Sequence, residues 1–341
     1  MKYKNLVTTL LITTLLSSGC SLQKEAKPKI VNDVKITSNE NDTQNRIISY
    51  INKVENSNLN IDMNRFYQNV KTLKIIHLDS NDFSYYKFDD NSISISKSKN
   101  GLEHELTHLI LADRVNNKVG LVNNDGVGIS LDEGVVELIS SEIMNKKTTA
   151  YPFNVGIVKI LSLIIGKDTI IKSCNENNNE YIIKSLSNIV PEYKDAYEYI
   201  EYLDYQNGLL FKMHEEYFDK GNMDNFKNTD EYTNLKNVRK DLINRIKIYI
   251  KAYYNNKIQN NNIDYSVDIT NMLALLDIVD NNLFDKDIEI NKQNDFFLRE
   301  EISYIMNKYK LDDEFYNECV NNSKNIKFLN TDTNTKKKLS N

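Results

Sequence analysis

The pattern of apolar and polar residues changes along the chain. Between residues 73 and 97, short runs rich in β-branched and aromatic residues alternate with Asn and Asp turns, as in strands. These runs are LKIIHLDS (73–80), FSYYKF (83–88) and SISISK (92–97). The strict alternation in SISIS predicts a half-exposed or edge strand. Beyond Tyr151-Pro152 the pattern favours helices, at 155–165, 179–220, 230–255, 264–282 and 295–322. We therefore expect an α+β fold, in which a small unit with a short sheet precedes a mostly α-helical C-terminal half.

The segment that joins the strands to the helical half predicts two further helices. The first begins near Asn100, a candidate N-cap followed by Glu103 at the third helical position, and ends at Gly120. A glycine-rich loop, GLVNNDGVGIS, leads to the second helix, which is expected from about residue 132 to residue 145. A short helix is also expected at 45–54, before the first strand.

Composition agrees with a helix-rich globular protein. The 341 residues include only 10 Gly and 3 Pro, which indicates few tight turns. Hydrophobic residues make up 40% of the chain and charged residues 27%, an ordinary balance for a protein with a real core. The formal net charge of −5 does not favour a nucleic acid as partner.

The first twenty residues predict export. Lys2 and Lys4 precede an apolar run from Leu6 to Leu16, which is too short for an ordinary membrane-spanning helix. The run ends in Ser17-Ser18-Gly19-Cys20, which resembles the signal of bacterial lipoproteins, whose cysteine becomes the lipidated first residue. The resemblance implies a mature protein held on the cell membrane through lipid on Cys20 and facing the extracytoplasmic side. A signal cleaved nearby, with Cys20 left as a thiol, is the alternative.

The stretch GLEHELTHLILADR (101–114) carries the chemistry. Four helical residues advance the chain by roughly 400° and 6 Å, so His104 and His108 share one face of the expected helix. Two imidazoles so placed can bind a single Zn²⁺ ion, while Glu105, about 100° away around the helix, can act on water beside the metal. The pattern H-E-x-x-H is specific in a chain with only four histidines. The alternative is a pair of exposed histidines without a metal.

The sequence from about residue 90 to residue 145 resembles the gluzincins, a group of zinc metallopeptidases. Their third metal ligand is a glutamate on a second helix, and Glu133, followed by Gly134, lies 25 residues beyond His108. The longer metzincin pattern is excluded, because Leu111 and Arg114 stand where it needs Gly and His.

Other readings of this acidic segment stay open. Asp132 and Glu137 are alternative ligands, and Ser130-Leu131-Asp132-Glu133 reads equally as a capping box that needs no metal. If Glu133 binds the metal, the resemblance implies that Glu137 supports a ligand histidine from the outside.

The resemblance also implies a reaction. Zn²⁺ would be the cofactor, Glu105 the general base, and a peptide or protein the substrate. A Tyr or His further along the chain would stabilise the oxyanion, and the candidates are His214 and Tyr151. A lone helical histidine such as His214 is also common as a structural residue, and His77, within a strand, is expected to have no role.

The sequence thus divides into five parts. These are a signal peptide (1–19), a flexible tether (20–44), a zincin-like catalytic unit (45–146), a helical domain (147–328) and a disordered tail (329–341). Cys174 and Cys319 could form a disulfide or remain isolated thiols. The expected function is a membrane-anchored extracytoplasmic zinc metallopeptidase. The alternatives are a surface lipoprotein with a zincin-like fold that binds zinc or a partner without catalysis, and a zinc amidase acting on cell-wall peptide bonds.

Overall fold

The computed structural model describes residues 38–57, 59–80, 83–191, 196–218, 220–283 and 297–329. Cys20 and the predicted signal peptide lie outside the described residues, as does most of the predicted tail. Within the described part, the chain is mostly helical with two small sheets. The predicted α+β class is therefore confirmed at this level.

The N-terminal unit combines helices with the two sheets. Its elements are α1 (Ser38–Glu55), α2 (Met63–Lys71), β1 (Lys74–His77), β2 (Tyr85–Lys87), β3 (Ser92–Ile95), α3 (Leu102–Leu111), β4 (Ala112–Asp113), β5 (Lys118–Val119) and α4 (Ile129–Met144). Helix α1 is longer than the helix expected at 45–54, so the end of the predicted tether is helical and that boundary was wrong. His77 is exposed at the end of β1.

The three predicted strands form one sheet in the order β1-β3-β2. Strand β3 pairs with β1 in parallel and with β2 in antiparallel orientation, so Ile93 faces both Ile75 and Tyr86. The expected edge strand is thus the central one, and all four of its residues are buried. The alternation of Ser and Ile gave a wrong prediction because serine is small and its hydroxyl can form a hydrogen bond within the protein. The Ser92 hydroxyl, for example, donates to Asp90 at 2.6 Å.

Helix α3 ends at Leu111, nine residues before the predicted stop, and the chain continues into the β4–β5 hairpin. Two distant amides bind the carbonyl groups at this end. Asn69 Nδ2 donates to the carbonyls of Leu109 and Ala112 at 3.0 and 2.9 Å, and Asn177 Nδ2 donates to that of Leu111 at 2.9 Å. Because these partners lie far away in sequence, local pattern could not predict where the helix stops.

Helices α3 and α4, which carry the two candidate sequence motifs, start without a side-chain cap of their own. Helix α3 follows Gly101, not Asn100, and α4 follows Gly128, which has φ +115°. Helix α4 begins three residues earlier than expected, so Ser130 lies inside its first turn. The capping-box interpretation of Glu133 is therefore wrong, and Glu133 is free for another role.

The C-terminal half consists of helices. They are α5 (Pro152–Leu161), α6 (Lys167–Asn175), α7 (Glu180–Ile189), α8 (Ala196–Met213), α9 (Met223–Phe226), α10 (Asp230–Gln259), α11 (Tyr265–Ile278), α12 (Leu298–Tyr309) and α13 (Asp313–Ser323), with π-helical turns at Ser162–Gly166, His214–Phe218 and Val279–Leu283. Their apolar faces join the N-terminal unit in one hydrophobic core that runs from Tyr50 to Leu329. Helix α4 packs against α5 and α8, so the C-terminal half is in direct contact with the helix that carries Glu133.

Two further expectations can be compared with the structure, one about the C-terminal tail and one about the cysteines. Leu329 is buried and its N–H donates to Glu142 of α4 at 3.1 Å, so the predicted disordered tail begins too early. Cys174 and Cys319 are both buried free thiols, so the disulfide alternative is wrong. In the part of the chain that the structure describes, no helix has the length and apolar character needed to cross a membrane.

Candidate metal centre

Helix α3 places its two histidines side by side. His104 and His108 are one turn apart, and their ring centroids are separated by 5.0 Å. The opposite face of the helix carries Leu102, Leu106 and Leu109, all fully buried. Because this apolar face fixes the helix in the core, the two imidazoles face the neighbouring helix α4.

Glu133 of α4 completes a candidate metal-binding triad with these histidines. Its Oε2 atom lies 3.0 Å from His104 Nε2 and 3.6 Å from His108 Nε2. One potential ligand atom from each of the three residues lies within 4.8 Å of the others. The side chains are largely buried, with 11%, 13% and 21% of their surface exposed for His104, His108 and Glu133.

Gly134 explains how α4 brings Glu133 to this depth. A Cβ atom at residue 134 would lie 2.8 Å from the backbone of Asn154 in α5, closer than real side chains allow. Only glycine lets the two helices approach this closely. The Glu-Gly pair in the sequence therefore joins a candidate ligand to the packing contact that positions it.

The outer nitrogen of each histidine faces a second acid. His104 Nδ1 lies 3.1 Å from Glu137 Oε2, and His108 Nδ1 lies 3.5 Å from Asp132 Oδ2. The expected contact of Glu137 with a triad histidine is therefore present. Asp132 and Glu137, the alternative third ligands, instead approach the ring nitrogens that point away from Glu133. A carboxylate on one nitrogen of a histidine sets the tautomer that leaves the other nitrogen free to bind a metal.

Backbone groups hold both of these outer acids in place. Glu137 Oε1 accepts hydrogen bonds from the N–H groups of Thr149 and Ala150 at 2.8 and 3.2 Å. Asp132 Oδ1 accepts one from the Leu121 N–H at 2.9 Å, and Gly120, at φ +48°, leaves no room for a Cβ beside it. The loops that precede and follow α4 thus fix the carboxylates that orient the histidines.

The charges of the cluster suit a cation. Burial alone would lower the pKa of His104, but its hydrogen bonds to Glu133 and Glu137 outweigh burial and raise the pKa to about 9. The pKa of His108 is likewise raised well above its usual value, mainly by the charge of Glu133 against the effect of burial. Burial opposes ionisation of Glu133, yet the histidines hold its pKa well below the usual range. In the metal-free cluster, protons on the two histidines balance the charge of Glu133, and a bound divalent ion could supply this positive charge in their place. Two imidazoles with one carboxylate are also a donor set that fits zinc.

Glu105 lies beside the triad without joining it. It is buried, and its Oε2 atom accepts a hydrogen bond of 2.7 Å from the Tyr86 N–H of β2. Burial raises the pKa of Glu105 above its usual value, while the positive charges of His108 and His104 act in the opposite direction. A raised pKa is suited to a carboxylate that both accepts and returns a proton near neutral pH.

Tyr151, in the loop after α4, lies against the triad. Its ring stacks on His104 with centroids 5.8 Å apart, and 37% of the residue is exposed. The charge of Glu133 and burial raise the pKa of Tyr151, so its hydroxyl stays protonated and can donate. Tyr151 also has φ +49°, a strained conformation for a bulky residue, and such strain is concentrated at functional sites. By contrast, His214 is exposed in the π-helical turn that follows α8.

Sequence reasoning missed several residues that shape this centre. The Tyr86 N–H on Glu105, the Leu121 N–H on Asp132 and the N–H groups of residues 149 and 150 are backbone donors, which carry no residue signature. Asp132 was considered only as a ligand. Its position next to Glu133, on a helix that faces two histidines, was the one signal that an outer role was available.

Comparison with other proteins adds no family assignment, because no family model, curated protein or solved structure matches this chain. The resemblance to gluzincins therefore stays an expectation drawn from the sequence motifs of this chain.

Proposed function

We propose that the protein is a zinc metallopeptidase of gluzincin type, with His104, His108 and Glu133 as metal ligands. One observation carries this proposal: both Nε2 atoms face the same carboxylate, while both Nδ1 atoms face other acids. A pair of histidines placed for packing alone has no need of three carboxylates in this arrangement. The donor set and the outer acids together favour zinc over a hard, oxygen-preferring cation.

The residues around the triad supply the remaining parts of a hydrolase. When bound, Zn²⁺ contributes Lewis-acid activation of a water molecule and of the substrate carbonyl. Glu105 takes the proton of the attacking water and returns it to the nitrogen of the departing amine as the C–N bond breaks. Tyr151 donates a hydrogen bond from its hydroxyl group to the carbonyl oxygen as negative charge develops there, and it keeps its proton. His214 is not needed in this scheme.

The N-terminal sequence supports a proposal about where the protein acts. We propose that lipid on Cys20 holds the protein at the cell membrane and that the metal centre works on the extracytoplasmic side, on peptides or proteins. The residues between Cys20 and α1 would span at most about 60 Å when fully extended, which leaves the site within reach of surface proteins. Cleavage of wall peptides, as by an amidase, uses the same machinery and differs in substrate.

Metal content and peptide cleavage test the proposal together. We expect the purified chain to bind close to one Zn²⁺ per molecule by elemental analysis. We also expect it to cleave members of a broad peptide library, to lose this activity with a chelator and to regain it with added Zn²⁺. Stoichiometric zinc without any cleavage would support the non-catalytic alternative. Absence of any stoichiometric transition metal from the folded protein would refute the metal centre itself.

Replacing Tyr151 by Phe tests the oxyanion role. Because the variant loses one hydrogen-bond donor, we expect kcat to fall by about 10²–10³-fold, with little change in KM or zinc affinity. Tyr304→Phe, at an exposed tyrosine of α12, is the matched control and should retain full activity. Steady-state kinetics check the effect. A Tyr151→Phe variant with wild-type kcat would remove Tyr151 from the mechanism.

A further inference from the structure

The first turn of α4 is capped by a side chain from the helical half. Asp204, in the middle of α8, accepts hydrogen bonds from the N–H groups of Gly128 and Ser130, each at 2.7 Å and each on a different carboxylate oxygen. The Ser130 hydroxyl in turn donates to the Leu203 carbonyl at 3.1 Å. Three hydrogen bonds thus join the start of α4 to one point on α8.

Gly128 cannot be replaced by a residue that caps the helix itself. It has φ +115°, and a Cβ atom there would lie 2.4 Å from the Leu121 carbonyl oxygen. The usual N-cap side chains are thereby excluded, and the N–H groups of Gly128 and Ser130 have Asp204 as their side-chain acceptor instead. The carboxylate also places negative charge at the positive end of the helix dipole.

In the folded chain, the ionised form of Asp204 is less favourable than it is in the unfolded chain. The residue is 5% exposed, and burial raises its pKa to about 6, although the bonds from Gly128 and Ser130 act to lower it. A carboxyl group whose pKa is higher in the folded than in the unfolded chain stabilises the fold only at low pH, and this contribution is lost as the pH rises through about 6. The titratable groups that interact with Asp204 are Glu201 and Tyr197, both on α8, and Tyr197 in turn interacts with Asp125 in the loop before α4.

We propose that Asp204 is a positioning residue through which the helical half sets the metal affinity of the centre. Glu133 follows Ser130 by three residues, about one turn, so the direction in which α4 leaves its first turn determines where the carboxylate of Glu133 stands. Its distances of 3.0 and 3.6 Å from the two Nε2 atoms leave little tolerance for a rotation of the helix. This inference rests on the proposed metal site and extends it to a residue outside that site.

Zinc affinity as a function of pH tests the proposal on the full chain. Asp204→Asn keeps the shape but turns an amide N–H towards one of the two backbone N–H groups. At pH 7.5, competition with a chromophoric chelator should show that the zinc affinity of Asp204→Asn is about tenfold lower than that of the wild type. This is the low end of the losses seen for residues that support metal ligands. At pH 5 the two affinities should converge, since wild-type Asp204 is then protonated as well. Asp168→Asn, an exposed acid in the first turn of α6, is the control and should match the wild type at both pH values.

Hydrogen exchange on the metal-free chain keeps this test separate from the proposed function. In Asp204→Asn the amides of residues 128–131 should exchange faster, while those of residues 138–144 should not change. Faster exchange with an unchanged zinc affinity at pH 7.5 would make Asp204 a local cap and overturn the proposal. If the wild type binds no zinc, the proposed function fails and the positioning role fails with it, whereas the exchange data still decide whether the cap exists.

Discussion

Replacing Glu105 by Gln is expected to abolish peptide hydrolysis while leaving zinc binding intact. The amide has almost the same shape as the carboxylate but cannot take a proton from water, and general-base catalysis is worth about 10²–10⁴-fold in rate. Glu105 forms no part of the triad, so its loss should change zinc affinity little. The expected result is therefore a fall of at least about 10²-fold in kcat with close to one zinc per chain, measured by steady-state kinetics and elemental analysis.

Glu103 offers a control on the same helix. Its carboxylate points away from the triad and forms a two-pronged contact with Arg46 of α1, at 3.1 and 2.7 Å. Glu103→Gln makes the same chemical change two residues away and should leave kcat within a few-fold of the wild type. Equal losses in both variants would indicate damage to α3, and full activity in Glu105→Gln would exclude Glu105 as the base.

The part of the centre that could be predicted from sequence is the part that helix geometry determines locally. His104, Glu105 and His108 belong to one helix, so their relative placement follows from residue spacing alone. Glu137 could be placed in the same way relative to Glu133, because four residues separate them on α4. These predictions needed only the correct assignment of a helix at each motif.

The ends of the same helices could not be predicted, because distant residues determine them. Asn69 and Asn177 bind the last carbonyls of α3, and Asp204 caps α4 from 74 residues away in sequence. Local pattern instead suggested Asn100 as a cap for α3. The terminal backbone groups of a helix without its own cap are satisfied by distant side chains, by tighter turns or by water, and local pattern does not indicate which.

The central position of β3 in the sheet could not be predicted for a related reason. The alternation of Ser and Ile in β3 is consistent with one exposed face, and nothing in the residues themselves reports that β1 and β2 lie on both sides of it. Serine tolerates either environment because its hydroxyl can bond within the protein or with water. The consequence for the site is direct, because β2 becomes the outer strand that donates the Tyr86 N–H to Glu105.

Replacing Glu133 by Ala should reduce zinc affinity more than any change in the outer acids does. Asp132→Asn and Glu137→Gln each weaken one contact to an Nδ1 atom, and losses of about 10–100-fold are typical for such partners. Glu133→Ala removes a ligand and leaves two histidines that cannot by themselves make a three-ligand site, so the loss should exceed about 100-fold. Chelator competition on the three variants side by side measures this order.

The order of the three affinities decides between the candidate ligands. If Glu137→Gln or Asp132→Asn lost more zinc affinity than Glu133→Ala, that acid would be the ligand and the geometry of the metal-free chain would have to change on binding. Thermal unfolding in chelator provides the control for folding, because Glu133 is the partner common to both buried histidines. A variant that unfolds cooperatively in chelator but is no longer stabilised by zinc has lost the site and kept the fold, since a ligand stabilises only the state that binds it.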